Sequence, residues 1–196
     1  MRTMRRSLAP FGVLLLVGSS ALWGQHPQVR KGFWIGFGIG YGSAQVSCDN
    51  CGSSSREGSF TGHVRLGGTL RPNLLLGADI TGWSKSENGS TVSLGNLTAT
   101  AFYYPVMTSG LFLKGGAGVA TFHGVFSGLL SATADGAGFG FTVGAGYDVR
   151  VGRNVSLTPV GSFVFGSVGD LKNSGTVLVT GWKQNFFEFG LDVTFH

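Results

Sequence analysis

Residues 138–151 read Gly-Phe-Gly-Phe-Thr-Val-Gly-Ala-Gly-Tyr-Asp-Val-Arg-Val. Every odd position is apolar: Phe139, Phe141, Val143, Ala145, Tyr147, Val149, Val151. The even positions hold four glycines, Thr142, Asp148 and Arg150. A period of two is the mark of a strand with two different faces. The same pattern sets Phe33, Ile35, Phe37, Ile39 and Tyr41 against Gly36, Gly38 and Gly40. It sets Phe60, Val64, Leu66 and Leu70 against His63, Arg65 and Thr69. Eight alternating segments follow: 32–47, 59–70, 74–87, 91–105, 111–126, 138–151, 155–168 and 176–195. The fourth, and the start of the eighth, are less regular, and a bulge near Asn96 or near Lys183 to Asn185 would account for the lost phase.

The connections at Arg71-Pro72-Asn73, Val106–Gly110 and Gly152-Arg153-Asn154 are short. Those near 48–58, 84–90, 127–137 and 169–175 are mostly longer and rich in Ser, Gly, Asn and Asp. Short turns on one side and longer loops on the other predict an all-β fold: an eight-stranded antiparallel transmembrane up-and-down β-barrel, with both termini on the short-turn side.

Volume decides which face points out. An eight-stranded barrel has an interior just wide enough to be filled by side chains. The Phe/Ile/Val face would overfill it, whereas the glycine face fits. The reverse arrangement would put bare glycine backbone in water. The composition agrees: charged residues are 12%, about half the usual ~25% of a soluble domain. The large apolar face is therefore expected to meet lipid, where a closed barrel keeps every backbone group paired.

Arg2, Arg5 and Arg6, the apolar run Leu8–Val17 and the small residues Gly18–Ala21 have the order of a secretory signal peptide. The apolar run is too short for a spanning helix. Residues 1–24 are read as this leader, cleaved after Ala21 or Gly24, and 25–196 as one outer-membrane barrel domain. The leader's arginines account for much of the formal charge of +5. No cluster of Lys and Arg remains, so a nucleic-acid partner is not expected.

The strand charges fall on the inward phase. Arg65, Lys114 and Arg150 would share the lumen with Asp79, Asp148, Glu188 and Asp192, as an ion-paired network that fills it.

Signal peptide, eight segments and aromatic-rich last strand together resemble the small OmpA/OmpX-like outer-membrane barrel family. The sharpest likeness is the C-terminal strand, where Phe187, Phe189, Leu191, Val193 and Phe195 alternate toward an aromatic end, with His196 one residue beyond. The resemblance implies that this strand is the signal read by the barrel-assembly machinery. It also implies outer-membrane lipids as surroundings.

Motifs for chemistry are few. Cys48 and Cys51 form a CxxC in the first loop. Without a thioredoxin-like context or further zinc ligands, a local disulfide is expected, and no metal or cofactor. His123 falls on the outward phase near a rim, with Ser127 four residues on. That spacing of about 13 Å along a strand is too long for a base and its nucleophile. In lipid A deacylases, to which this rim His invites comparison, His and Ser lie two residues apart, and here that place holds Val125. Trp34, Trp83, Tyr103, Tyr104, Tyr147 and Trp182 lie toward segment ends and are expected to form interfacial girdles. The Gly-x-Gly strings lie within strands and lack a nucleotide-loop context. The expected function is thus non-enzymatic: a structural or surface-interaction barrel with a largely plugged lumen and a surface partner the sequence does not name. The alternatives are a channel for small ions or solutes and a lipid A-modifying enzyme.

Substituting Phe195→Asp is expected to leave export intact and block assembly. Heat-modifiable, folded variant in the outer-membrane fraction would contradict this.

Overall fold

A computed structural model of the chain describes residues 28–126 and 132–196; the expected leader and Ser127 lie outside them. Eight long strands form the barrel: β1 (Phe33–Cys48), β2 (Glu57–Arg71), β3 (Leu74–Glu87), β4 (Ser90–Tyr103), β5 (Leu111–Phe126), β6 (Ala132–Tyr147), β7 (Val155–Asn173) and β8 (Thr176–Phe195). Two short pieces, Gly52–Ser53 and Val149–Arg150, pair with the ends of β1 and β7. Each long strand runs antiparallel to its neighbours, and β8 pairs with β1 to close the sheet.

The ladder also fixes the tilt. Paired residues lead from Ile35 through Leu66, Ala78, Ala99, Ala117, Phe141, Phe165 and Asn185 back to β1 at Gln45. One circuit thus displaces the register by ten residues, between Ile35 and Gln45. For eight strands that implies a tilt of about 40°.

The termini and the connections at 72–73, 104–110 and 148–154 share one end, the near end. The connections at 49–56, 88–89, 127–131 and 174–175 mark the far end. The expected contrast of short turns with long loops is not what is found. Two far-end connections are two-residue hairpins, Asn88-Gly89 and Ser174-Gly175, with positive φ at all four residues. These are the left-handed conformations of the tight hairpin turn that matches strand twist. The Ser- and Gly-rich stretches near 84–90, 132–137 and 169–173 therefore continue as strand, and β7 runs on to Asn173. No bulge occurs at Asn96, which stays in register with Thr81 and Ala120. In β8 the pairing is irregular at Val177–Lys183, beside the left-handed Gly181; smaller register shifts occur at Thr69–Arg71 and Asp135–Phe139.

Outward, Phe33–Tyr41, Phe139–Tyr147 and Phe187–Phe195 each show five apolar rows. Nine tilted residues cover roughly 20 Å, close to the ~25 Å apolar belt of an outer-membrane barrel. Above this belt the outward row turns polar, at Ser43, Ser84, Ser93, His123, Asp135, Ser167 and Asn185. The aromatic girdles are built of Phe and Tyr: Phe33, Tyr103 and Phe195 below, Tyr41, Phe60 and Phe187 above. Trp34, Trp83 and Tyr104 correct the sequence expectation, because their side chains are buried inside. Glycines make room for such rings. A Cβ on Gly146 would strike Phe112, and one on Gly190 would strike His63.

Val143→Arg on the exterior is expected to cost about 2–4 kcal/mol in a lipid-vesicle unfolding titration. Ser55→Arg in the far-end loop should lie within about 0.5 kcal/mol of the unsubstituted protein.

Candidate functional site

The lumen is stacked in three layers. Nearest the termini, Trp34, Leu75, Phe102, Tyr104, Phe112 and Val160 pack as one buried cluster. Toward the far end, Trp83, Leu94, Phe122, Val164, Val168, Leu171 and Phe186 form another. Between them lies a belt of buried polar groups, including Thr61, His63, Arg65, Asp79, Thr81, Thr98, Lys114, Glu188 and Asp192.

Alternation makes this belt inevitable. The inward residues of β2 and β8, the two strands that flank β1, bring His63 and Arg65 beside Glu188 and Asp192 in the lumen. The His63 imidazole lies between two carboxylates, with Nε2 2.8 Å from Glu188 Oε2 and Nδ1 3.0 Å from Asp192 Oδ1. Only the imidazolium form donates to both. Arg65 donates to Thr194 at 2.8 Å and lies 3.3 Å from Asp192, with its guanidinium near the rings of Phe102 and Phe112. Lys114 donates to Asp79 at 2.7 Å, and Thr81 donates to the other oxygen of that carboxylate. With His63 charged, three cations meet three anions.

The seven charges expected to form one network thus divide in two. Arg65, Asp79, Lys114, Glu188 and Asp192 belong to the central belt. Asp148 and Arg150 sit at the near end, and they do not form an ion pair. Asp148 instead accepts from Tyr104 and Thr158, both at 2.8 Å. Arg150 donates to the carbonyl of Val29.

That contact belongs to a plug the sequence did not reveal. Residues 28–31 cross the near-end mouth. Arg30 donates to the carbonyls of Met107 at 3.1 Å and Ser109 at 2.7 Å, and its guanidinium stacks 3.6 Å above the Tyr104 ring. Gln28 donates to the carbonyl of Asp148. His196 turns inward to within 3.8 Å of Asp148. The void left among Trp34, Arg65, Tyr104, Asp148 and His196 is about 10 Å³, room for about one water at most. His63 and Arg30 are the side chains sequence reasoning missed. The inward phase of His63, and one more anion than cations among the expected charges, were signals for the first.

Among the described residues, the far-end mouth is open. A vestibule of about 300 Å³ lies among Ala44, Val46, Trp83, Lys85, Val92 and Leu94. Its floor is the far apolar cluster. Lys85 bridges Glu57 at 2.7 Å and Glu87 at 2.8 Å on its rim. Cys48 and Cys51 form a disulfide, and the adjoining Asp49 amide donates to the carbonyl of Thr180 beside the β8 irregularity. Arg56 ties the loop down by donating to Asn185 and to the carbonyl of Ser43. Phe187, Phe189, Leu191 and Phe195 of the last strand are exposed on the exterior, and Val193 is half-buried.

His123 points outward, as its phase requires. Its partner is Asp135 on the neighbouring strand, with Nδ1 2.6 Å from Oδ1. Among the described residues no three His, Cys, Asp or Glu side chains gather to hold a metal ion.

No protein-family profile and no curated protein matches the chain. Solved structures do. The attachment invasion locus protein Ail of Yersinia pestis is similar at 13% identity and a TM-score of 0.60, over 84% of this chain and 99% of that one. Ail in complex with the heparin analogue sucrose octasulfate gives 13% identity and a TM-score of 0.59, with the same coverage. Neisserial surface protein A gives 19% identity and a TM-score of 0.54, over 84% of this chain and 98% of that one. At these identities the likeness concerns the fold. That fold is the small eight-stranded outer-membrane barrel, in keeping with the OmpA/OmpX-like resemblance.

Lys114→Met is expected to destabilise the folded barrel by about 3–5 kcal/mol, because it leaves the buried Asp79 carboxylate without its cation, with only the Thr81 hydroxyl as donor. Adding Asp79→Leu should recover most of that loss. An unfolding titration of both variants tests it, and equal losses would contradict the paired belt.

Proposed function

We propose that this chain is exported, loses its leader and resides in the outer membrane as a non-enzymatic barrel with a sealed lumen. It would reach that membrane through the barrel-assembly machinery, which reads the alternation from Phe187 to Phe195. Its function lies on its exterior and its far-end rim. The observation that carries this reading is the layered lumen. An ion-paired belt sits between two apolar clusters, and Arg30 closes the near mouth. A conducting path would have to cross both clusters. Eight-stranded barrels already leave no aqueous channel once side chains fill them.

The far-end rim is the surface offered to the outside. It carries Arg56, Lys85, Lys172 and Lys183 beside Asp49, Glu57, Glu87, Asp135 and Asp170. A mixed rim of this kind does not favour a polyanion such as the heparin analogue bound by Ail. It suits a protein partner or a structural role in the envelope, with the disulfide and Arg56 holding the first loop in one shape.

The test is planar-bilayer recording of the refolded, leader-free protein, with its β-content and heat-modifiability checked on the same sample. No reproducible current steps are expected. Discrete steps from a correctly folded sample would overturn the sealed lumen and support a channel.

A further inference from the structure

The exterior holds a groove that the sealed lumen does not explain. It has a volume of about 540 Å³ and lies across β2, β3, β4 and β5. Gly62, Gly82 and Gly95 stand side by side in the ladder and form its floor. Phe60 and Thr121 wall it at either side. A Cβ on Gly62 would meet nothing within 4 Å, and one on Gly82 would only graze the carbonyl oxygen of Leu94. The dent is therefore real space, left by missing side chains.

Its two long edges differ in chemistry. The outward row toward the near end is apolar: Val64, Ile80, Leu97 and Val119 are all exposed and in register. The row toward the far end is polar: Ser84, Ser93, His123 and Asp135 are paired in sequence across four strands. Ser84 and Ser93 share a hydrogen bond of 3.0 Å, and His123 and Asp135 one of 2.6 Å. The groove thus spans the line where the apolar belt gives way to polar side chains.

We propose that this groove is a binding site for one lipid of the surrounding bilayer. Its acyl chain lies over the three glycines, and its ester-linked head region meets Ser93 and His123. The inference rests on the outer-membrane reading. Polarity matches the occupant along its length: hydrocarbon below, hydroxyl, imidazole and carboxylate above. A dent in a lipid-facing wall has acyl chains as its available filler. Asp135, His123 and Ser93 in one row suggest a hydrolytic site at first sight. However, Ser93 makes its side-chain hydrogen bond to Ser84, and the strand amides around the groove are committed to the ladder. No pair of free backbone amides is left to form an oxyanion hole, and the row is assigned to binding.

The probe is a phosphatidylcholine carrying a mid-chain diazirine, in vesicles holding the folded protein. After photolysis, labelled peptides are mapped by mass spectrometry. Labelling around Gly62, Gly82 and Gly95 should exceed that along the Phe187–Phe195 exterior several-fold. The Gly62→Leu/Gly82→Leu variant fills the groove at positions with ordinary backbone angles and should lower this to the exterior level. His123→Ala should reduce the excess while leaving the fold intact by heat-modifiability. Even labelling around the barrel, or an excess unchanged by the double variant, would overturn the groove while leaving the membrane reading in place. Absence of label from the whole apolar exterior would overturn the membrane reading itself.

Discussion

The structure depends on one constraint: a sheet with hydrocarbon against its outer face has no water there to satisfy backbone groups. Closure follows, because only a sheet without edges pairs every amide along its wall. Alternation follows too, since each strand shows large apolar groups to the lipid and turns its other face inward, polar at mid-height and apolar in the clusters at either end. The ten-residue register shift between Ile35 and Gln45 sets the tilt, and the tilt sets how little room remains inside. The inward glycines follow from that narrow interior. Phe112 and His63 fit because Gly146 and Gly190 oppose them.

In so narrow a space, charges survive only where they are paired or hydrogen-bonded. The belt meets that condition by placing His63 between Glu188 and Asp192, Arg65 beside Asp192, and Lys114 on Asp79. The apolar clusters above and below keep water from the pairs, which strengthens each attraction and makes the loss of any single partner costly. The belt and the clusters are therefore one device. In the proposed reading this device shuts the barrel and leaves recognition to the rim and the outer wall.

The fold was legible in the sequence because a period of two survives in single strands such as 138–151. The phase of each central residue came with it, so Arg65, Lys114, Glu188 and Asp192 are inward as read. What failed was the reading at strand ends. On β4 the inward residues are Val92, Leu94, Asn96, Thr98, Thr100 and Phe102. They are apolar at both ends and polar in the middle, because they pass through all three layers. That inversion looks like lost phase in a sequence and prompted a bulge at Asn96. In fact Asn96 sits inside, donating to the carbonyls of Phe141 and Phe165. The same layering hid Trp34 and Trp83 within the lumen. Ser, Ala and Gly around Asp135 have the composition of a loop, and that composition hides its pairing with His123. Arg30 precedes the first strand, where no period exists to place it.

The most direct test of this account is magic-angle-spinning NMR of the unsubstituted protein in lipid bilayers, with magnetisation started separately on acyl-chain protons and on water. The account predicts rapid transfer from acyl chains to Phe139, Phe141, Val143, Phe189 and Leu191. It predicts slow transfer from both sources to His63, Lys114 and Asp192. Rapid transfer from water to His63 and Lys114 would show a wet, open lumen and contradict the sealed barrel. Transfer from acyl chains to those same residues would contradict the assignment of its faces.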